Sequence, residues 1–144
     1  MKARVLISIV ALLALVGCAT PGAPKSQSDS MFVVENYFAA LNRRDALALI
    51  AYVSPDVEWF SMVGGERVQE VSGREALVAT LKQYFERTAE TKWKIEGVTA
   101  TVGKLAVTER SEWTENGATQ SRTTLGVFEL DDGRIRRITY FLDR

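Results

Sequence analysis

Four consecutive runs of the chain, residues 91–102, 104–115, 118–130 and 134–142, alternate apolar and polar side chains with the period of a half-buried strand. Turn residues separate them at Gly103, at Asn116-Gly117 and at Asp131-Asp132-Gly133. Asn-Gly between two such runs favours a type I′ hairpin turn, because both central positions need positive φ. The stretch therefore predicts four antiparallel strands, and a sheet of that size must have one face covered.

The segments before it supply the cover. Ser30 can cap a helix over residues 31–43, with Val34, Phe38 and Leu41 on one stripe and Tyr37 at its border. Asp45 can cap a shorter helix over 46–52, and Pro55 disfavours helical geometry at the residue before it. Residues 57–62 and 66–71 read as strands around Gly64-Gly65. "SGRE", Ser72 to Glu75, fits a capping box that opens a third helix through Arg87, with Leu77, Leu81 and Tyr84 or Phe85 on its apolar side. Helices grouped before a meander argue an α+β fold: a cone-shaped, curved antiparallel sheet packed on three helices. Such a sheet leaves a conical cavity, the usual place for a ligand.

The N-terminal segment has a different character. Lys2 and Arg4 precede a 12-residue apolar run, Val5 to Val16, too short to span a bilayer comfortably but suited to an export signal. "LVGC" follows at Leu15 to Cys18 and resembles the bacterial lipobox, which implies cleavage before Cys18 and acylation of that residue. A plain signal peptide cut near Ala19 is the alternative. Cys18 is the only cysteine, so an intramolecular disulfide is excluded. Cleavage there takes the basic count from 18 to 16 against 18 acids, a formal charge of −2. Residues 19–30, "ATPGAPKSQSDS", read as a flexible tether that spans about 40 Å when extended. The expected organisation is a signal at 1–17, a lipidated tether at 18–30 and one domain at 31–144. The implied location is the bacterial cell envelope, on the periplasmic side of an outer membrane where the cell has one.

Several function classes drop out on composition. No basic run offers an electrostatic footprint for nucleic acid. With no histidine and one cysteine, a His/Cys metal site is excluded. No Gly-rich phosphate loop precedes a helix, and no other motif implies a cofactor. Asp56 and Asp143 read as turn or strand-end residues, and Trp93 and Trp113 as core or interface aromatics.

"LAVTERSEW", residues 105–113, poses the sharpest question. Alternation places Thr108, Arg110 and Glu112 on one face, and Val107, Glu109, Ser111 and Trp113 on the other. The acid and base two apart can be a structural ion pair at the cavity floor, an active site, or an exposed solvated pair.

"ENYFAALNRRDALALI", "VSPDVEWF" and "LGVFELDDGRIRRITYFLD", in this order of elements, resemble the nuclear transport factor 2-like superfamily in its SnoaL-like branch. Within the branch, "NRRDALALIAYVSPDVEWFSM" and "TERSEW" are similar to the limonene-1,2-epoxide hydrolases. That resemblance implies an arginine between two acids, with a tyrosine and an asparagine holding the water. The arginine falls on Arg110 and one acid on Glu112; the tyrosine falls on Trp59 and the asparagine on Ser61. The water-activating acid falls on Tyr140, or on Thr139 with a one-residue slip, and neither is a carboxylate. An ordinary tyrosine ionises near 10, so at neutral pH it is a donor rather than a base.

These readings set the expectations. Arg110 and Glu112 face the cavity with Tyr140, while Phe38, Trp59, Ser61 and Leu125 line it. Val107, Ser111 and Trp113 lie on the outer sheet face and anchor a homodimer. The leading function is a lipid-anchored domain that binds a small hydrophobic molecule. The alternatives are an epoxide hydrolase or an isomerase or cyclase using Arg110 and Glu112, and an interaction module. The anchor is tested by cell fractionation: Cys18→Ser should release the domain from membranes or leave it uncleaved. A Cys18→Ser chain that is cleaved normally and still sediments with membranes would contradict the lipobox reading.

Overall fold

The computed structural model describes residues 26–142. Cys18 with the expected export signal, residues 19–25 of the expected tether, and Asp143 lie outside the described residues. Helix α1 spans Gln27–Asn42, followed by a 3-10 turn over Ala48–Ala51. Strands β1 (Val53–Val63) and β2 (Glu66–Ser72) form a hairpin, and helix α2 spans Arg74–Arg87. Strands β3 (Thr91–Thr101), β4 (Lys104–Glu115), β5 (Ala118–Asp131) and β6 (Arg134–Leu142) complete one sheet in the order β2-β1-β6-β5-β4-β3.

The meander is as the turns dictate. Asn116 and Gly117 take φ of 51° and 78°, and Asp132 and Gly133 take 43° and 67°, the left-handed pairs a type I′ turn requires. The sheet differs from the expectation in being mixed, because β1 runs parallel to β6. Its register shifts in the β1/β2, β3/β4 and β5/β6 pairings, and such irregularities bend strands. Both helices pack on one side of the resulting curve.

The helices also depart from expectation at their ends. Helix α1 starts four residues early because Ser26, not Ser30, caps it: Ser26 and Asp29 exchange the two bonds of a capping box. Ser30 is buried inside the first turn, so residues 27–30, expected in the tether, belong to the helix. The expected second helix is one 3-10 turn, since strand β1 already begins at Val53 and the Tyr52 carbonyl accepts from Ile135 N–H at 2.8 Å. Helix α2 is capped by Gly73 at φ 91° with no side-chain bond, so Ser72 closes β2 rather than a capping box. Among the described residues, two α-helices thus stand where three were expected.

Two polar clamps hold α1 and its exit in place. Asn42 donates to the Trp93 carbonyl and accepts from Trp93 N–H, both at 2.8 Å, tying the helix end to edge strand β3. Arg44, left-handed at φ 55°, reaches the carbonyls of Thr88 and Ala89 and lies over the Phe85 ring, 5.3 Å from its centroid. The core beneath joins Val34, Phe38 and Leu41 of α1, Leu77 and Leu81 of α2, and Leu105, Val107, Phe128, Ile135 and Ile138 of the sheet.

That core fixes the phase of β4. Leu105 and Val107 are fully buried, so the period of two carries Glu109, Ser111 and Trp113 to the concave side and Arg110 and Glu112 to the convex side. The expected orientation is inverted. Val107, Ser111 and Trp113 do not lie on the outer face, and they offer no anchor for a dimer there.

On the concave face, Gly126 of β5 stands opposite Tyr140 of β6. A methyl group at Gly126 would sit 2.8 Å from Tyr140 Cε1 and 3.1 Å from Phe128 Cε2, closer than van der Waals contact. The missing side chain is what lets the Tyr140 ring lie across the strand. Gly126→Ala is expected to cost about 1–3 kcal/mol, as overpacking does, and to move the Tyr140 ring. Urea unfolding checks this, and unchanged stability would contradict it.

Candidate functional site

A cleft of about 280 Å³ opens between the helices and the concave face of the sheet. Alternation along β1 turns Trp59 and Ser61 into it, alternation along β4 adds Glu109 and Ser111, and β6 adds Tyr140. Helix α1 contributes Tyr37 and Leu41, and α2 contributes Leu81 and Tyr84. The walls are thus mostly aromatic and aliphatic, with few polar groups, the composition typical of a small-molecule site.

Glu109 is the chemical centre. It is only 6% exposed, and the Tyr140 hydroxyl donates to its Oε2 at 3.2 Å. Burial disfavours the charged form and pushes its pKa up to about 7; the Tyr140 bond, which favours the carboxylate, opposes this in part. Tyr140 and Tyr37 are both pushed upward, chiefly by burial and further by the Glu109 charge, so each stays a phenol and a donor at neutral pH. The titratable and charged groups around Glu109 are therefore Tyr37 from α1, Tyr84 from α2, Arg122 from β5 and Tyr140 from β6.

Trp59 meets Tyr140 edge to face, with ring centroids 6.1 Å apart. Its indole Nε1 is buried without a hydrogen-bond partner. A buried unmet donor costs about 1–3 kcal/mol, so the site holds a donor that an acceptor on a ligand or a water would satisfy.

The cleft brings together only part of the expected site. Trp59, Ser61 and Tyr140 line it as expected. Phe38 does not; it is core, packed against Tyr37 and Phe128 at 5.8 and 5.7 Å. Leu125 is 42% exposed on the outer face, opposite Phe141 of β6. Arg110 and Glu112 do contact each other, with Nε to Oε1 at 2.8 Å, but on the outer face with side chains 40% and 48% exposed. Arg110 also donates to Ser121 Oγ at 3.0 Å. An ion pair so exposed contributes about 0–1 kcal/mol. The exposed-pair reading holds, and neither residue reaches the cleft.

Glu109 lines the cleft although the resemblance implies no role for it. An acid in phase with Leu105 and Val107, the most apolar positions of its strand, is the signal that marks it. Arg122 has a weaker signal, a cation in phase with Gly126 and Phe128 on β5. Among the described residues, no three Cys, Asp or Glu side chains are placed to hold a metal ion.

The SnoaL-like domain family matches residues 34–138. No curated protein matches the chain by sequence. Among solved structures, a Mycobacterium tuberculosis LEH-like epoxide hydrolase superposes with a TM-score of 0.68 at 20% identity, covering 85% of this chain and 83% of that one. A candidate polyketide cyclase from Xanthomonas campestris pv. campestris gives 0.67 at 23% identity, covering 83% and 93%. A protein of unknown function with a cystatin-like fold from Methylobium petroleophilum PM1 gives 0.68 at 19%, covering 83% and 78%. At these identities the likeness is one of fold. The match over most of the domain establishes that the chain belongs to the SnoaL-like domain family, and its α+β fold is the one shared with these structures.

Proposed function

We propose that this domain binds a small, largely apolar molecule in the concave cleft, with one polar group of the ligand set against Glu109 and Tyr140. The observation that carries the reading is the buried carboxyl of Glu109 at the wall of an aromatic cleft. A buried acid with a single phenolic partner costs stability wherever it is ionised, because its burial opposes ionisation. It does, however, give a ligand hydroxyl or carbonyl a partner in an otherwise apolar space. As part of the same proposal, acylation at Cys18 would hold the domain in the bacterial cell envelope. The support for this is "LVGC" behind its basic start and apolar run.

A second reading is favoured by the same residue. A general base works best when its pKa lies near the working pH, and Glu109 sits near 7. It could accept a proton from a carbon next to a carbonyl while Tyr140 or Trp59 donates to the oxygen, an isomerase- or cyclase-type step. Epoxide hydrolysis of the kind implied by resemblance has less support. Its arginine and first acid fall on Arg110 and Glu112, outside the cleft, and the cleft lining includes one carboxyl, not two.

Thr80 is exposed at the cleft rim, so Thr80→Trp can fill the opening without disturbing the core. Mass spectrometry of the purified mature chain should find an apolar molecule retained by the wild type and lost from Thr80→Trp at unchanged circular dichroism. Glu109→Gln should weaken its retention. Should the molecule be a carbonyl compound, Glu109→Gln should also slow exchange of its α-protons into heavy water by about 10²–10⁴-fold. Identical small-molecule content in wild type and Thr80→Trp would contradict the binding proposal.

A further inference from the structure

A second hollow of about 290 Å³ lies beside the cleft, bounded by Thr88, Thr91 and Trp113 at its far side. Tyr84, Trp93, Ser111 and Arg122 line both spaces. The two are therefore neighbouring chambers of one groove, an inner one around Glu109 and an outer one around Trp113, with Arg122 at the threshold.

The charges along this groove are sparse. Of the residues lining the two chambers, Glu109 is the sole acid and Arg122 the sole base. They are placed by the β4/β5 ladder: Ser111 stands opposite Arg122 and Glu109 opposite Thr124, so Glu109 and Arg122 are diagonal neighbours on the concave face. They form no ion pair within 4 Å of each other, and the Arg122 guanidinium has no side-chain partner among the described residues. Arginine presents a planar fork of donors suited to two oxygens of one anion, and Arg122 is exposed on the open side of the groove, where an oxyanion can reach it. Trp93 and Trp113 both flank this point.

We infer that the ligand is an apolar molecule bearing one oxyanion (a carboxylate, sulfate or sulfonate), whose body fills the inner chamber and whose anion is received by Arg122 at the threshold, with Ser111 beside it. Arg122 is then the residue that sets specificity for an anionic over a neutral ligand. The inference rests on the proposed reading of the cleft as a ligand site and adds the ligand's charge and the position of that charge. It also assigns the outer chamber a role, as the exit through which the anion keeps contact with water.

Two fluorescent probes that differ only in the anion separate the possibilities: 1-anilinonaphthalene-8-sulfonate and its uncharged parent, N-phenyl-1-naphthylamine. Both are titrated into the mature chain (Cys18→Ser, so that no acyl group is present) and into the same chain carrying Arg122→Gln or, as a charge control, Arg134→Gln. Arg134 opens β6 at the exposed turn and lines neither chamber. The expected result is about a tenfold tighter Kd for the sulfonate in the parent chain, the scale of one charge-assisted contact. Arg122→Gln should reduce that ratio to about one, while Arg134→Gln should preserve it. Equal affinity for the two probes in the parent chain would overturn the inference and leave the cleft reading standing. So would a preference that survives Arg122→Gln or disappears equally in Arg134→Gln. Failure of both probes to bind the parent chain would overturn the inference and the cleft reading together.

Discussion

Leu105 and Val107 have to be buried, and the pleat of a strand then leaves Glu109 nowhere else to point. The whole site follows from that constraint. A carboxylate moved out of water into apolar surroundings is costly, so the group responds by holding its proton to higher pH. Its neighbour is fixed by another constraint of the same sheet. Gly126 leaves the space in which the Tyr140 ring lies, and that ring carries its hydroxyl to Glu109. Phe128 and Trp59 stand edge to face against Tyr140 and restrict its movement. Packing of the core and chemistry of the cleft are thus set by the same few strand positions.

Much of the fold was legible because its signals are local. Asn116-Gly117 and Asp132-Gly133 demand left-handed pairs, and the strands on either side could be read nearly to the residue. The parallel pairing of β1 with β6 was not legible, since it joins segments about 80 residues apart and no turn residue announces it. Helix ends were misread where two competent caps competed. Ser26 with Asp29 makes both bonds of a capping box, which Ser30 could not match, and Gly73 replaced the cap expected from Ser72.

The site was legible in its members on β1 and β6, but not on β4. Trp59, Ser61 and Tyr140 could be placed in the cleft from resemblance alone. On β4 the same resemblance pointed to Arg110 and Glu112, against the phase set by Leu105 and Val107 in their own strand. The apolar phase was the stronger physical signal, because burying two aliphatic side chains outweighs an exposed ion pair worth about 0–1 kcal/mol. One SnoaL-like fold therefore carries a different set of polar groups from the one that resemblance implied, as expected when function resides in side chains grafted on a shared scaffold.

The central claim is that Glu109 is buried in the cleft and keeps its proton to near neutral pH. Its consequence for stability has a definite sign. With a folded pKa of about 7 against an ordinary value of 4.5, the native state binds more protons than the unfolded chain between these values. The contribution is greatest below pH 4.5 and is lost as pH rises through 7. The direct measurement is the unfolding free energy of wild type and Glu109→Gln, by urea denaturation at intervals from pH 5 to pH 8. Relative to the variant, the wild type should lose stability steadily as pH rises to about 7 and then level off, by an amount on the order of 3 kcal/mol. Curves that run parallel across the whole range would show that Glu109 titrates as an exposed carboxyl, and would contradict the account.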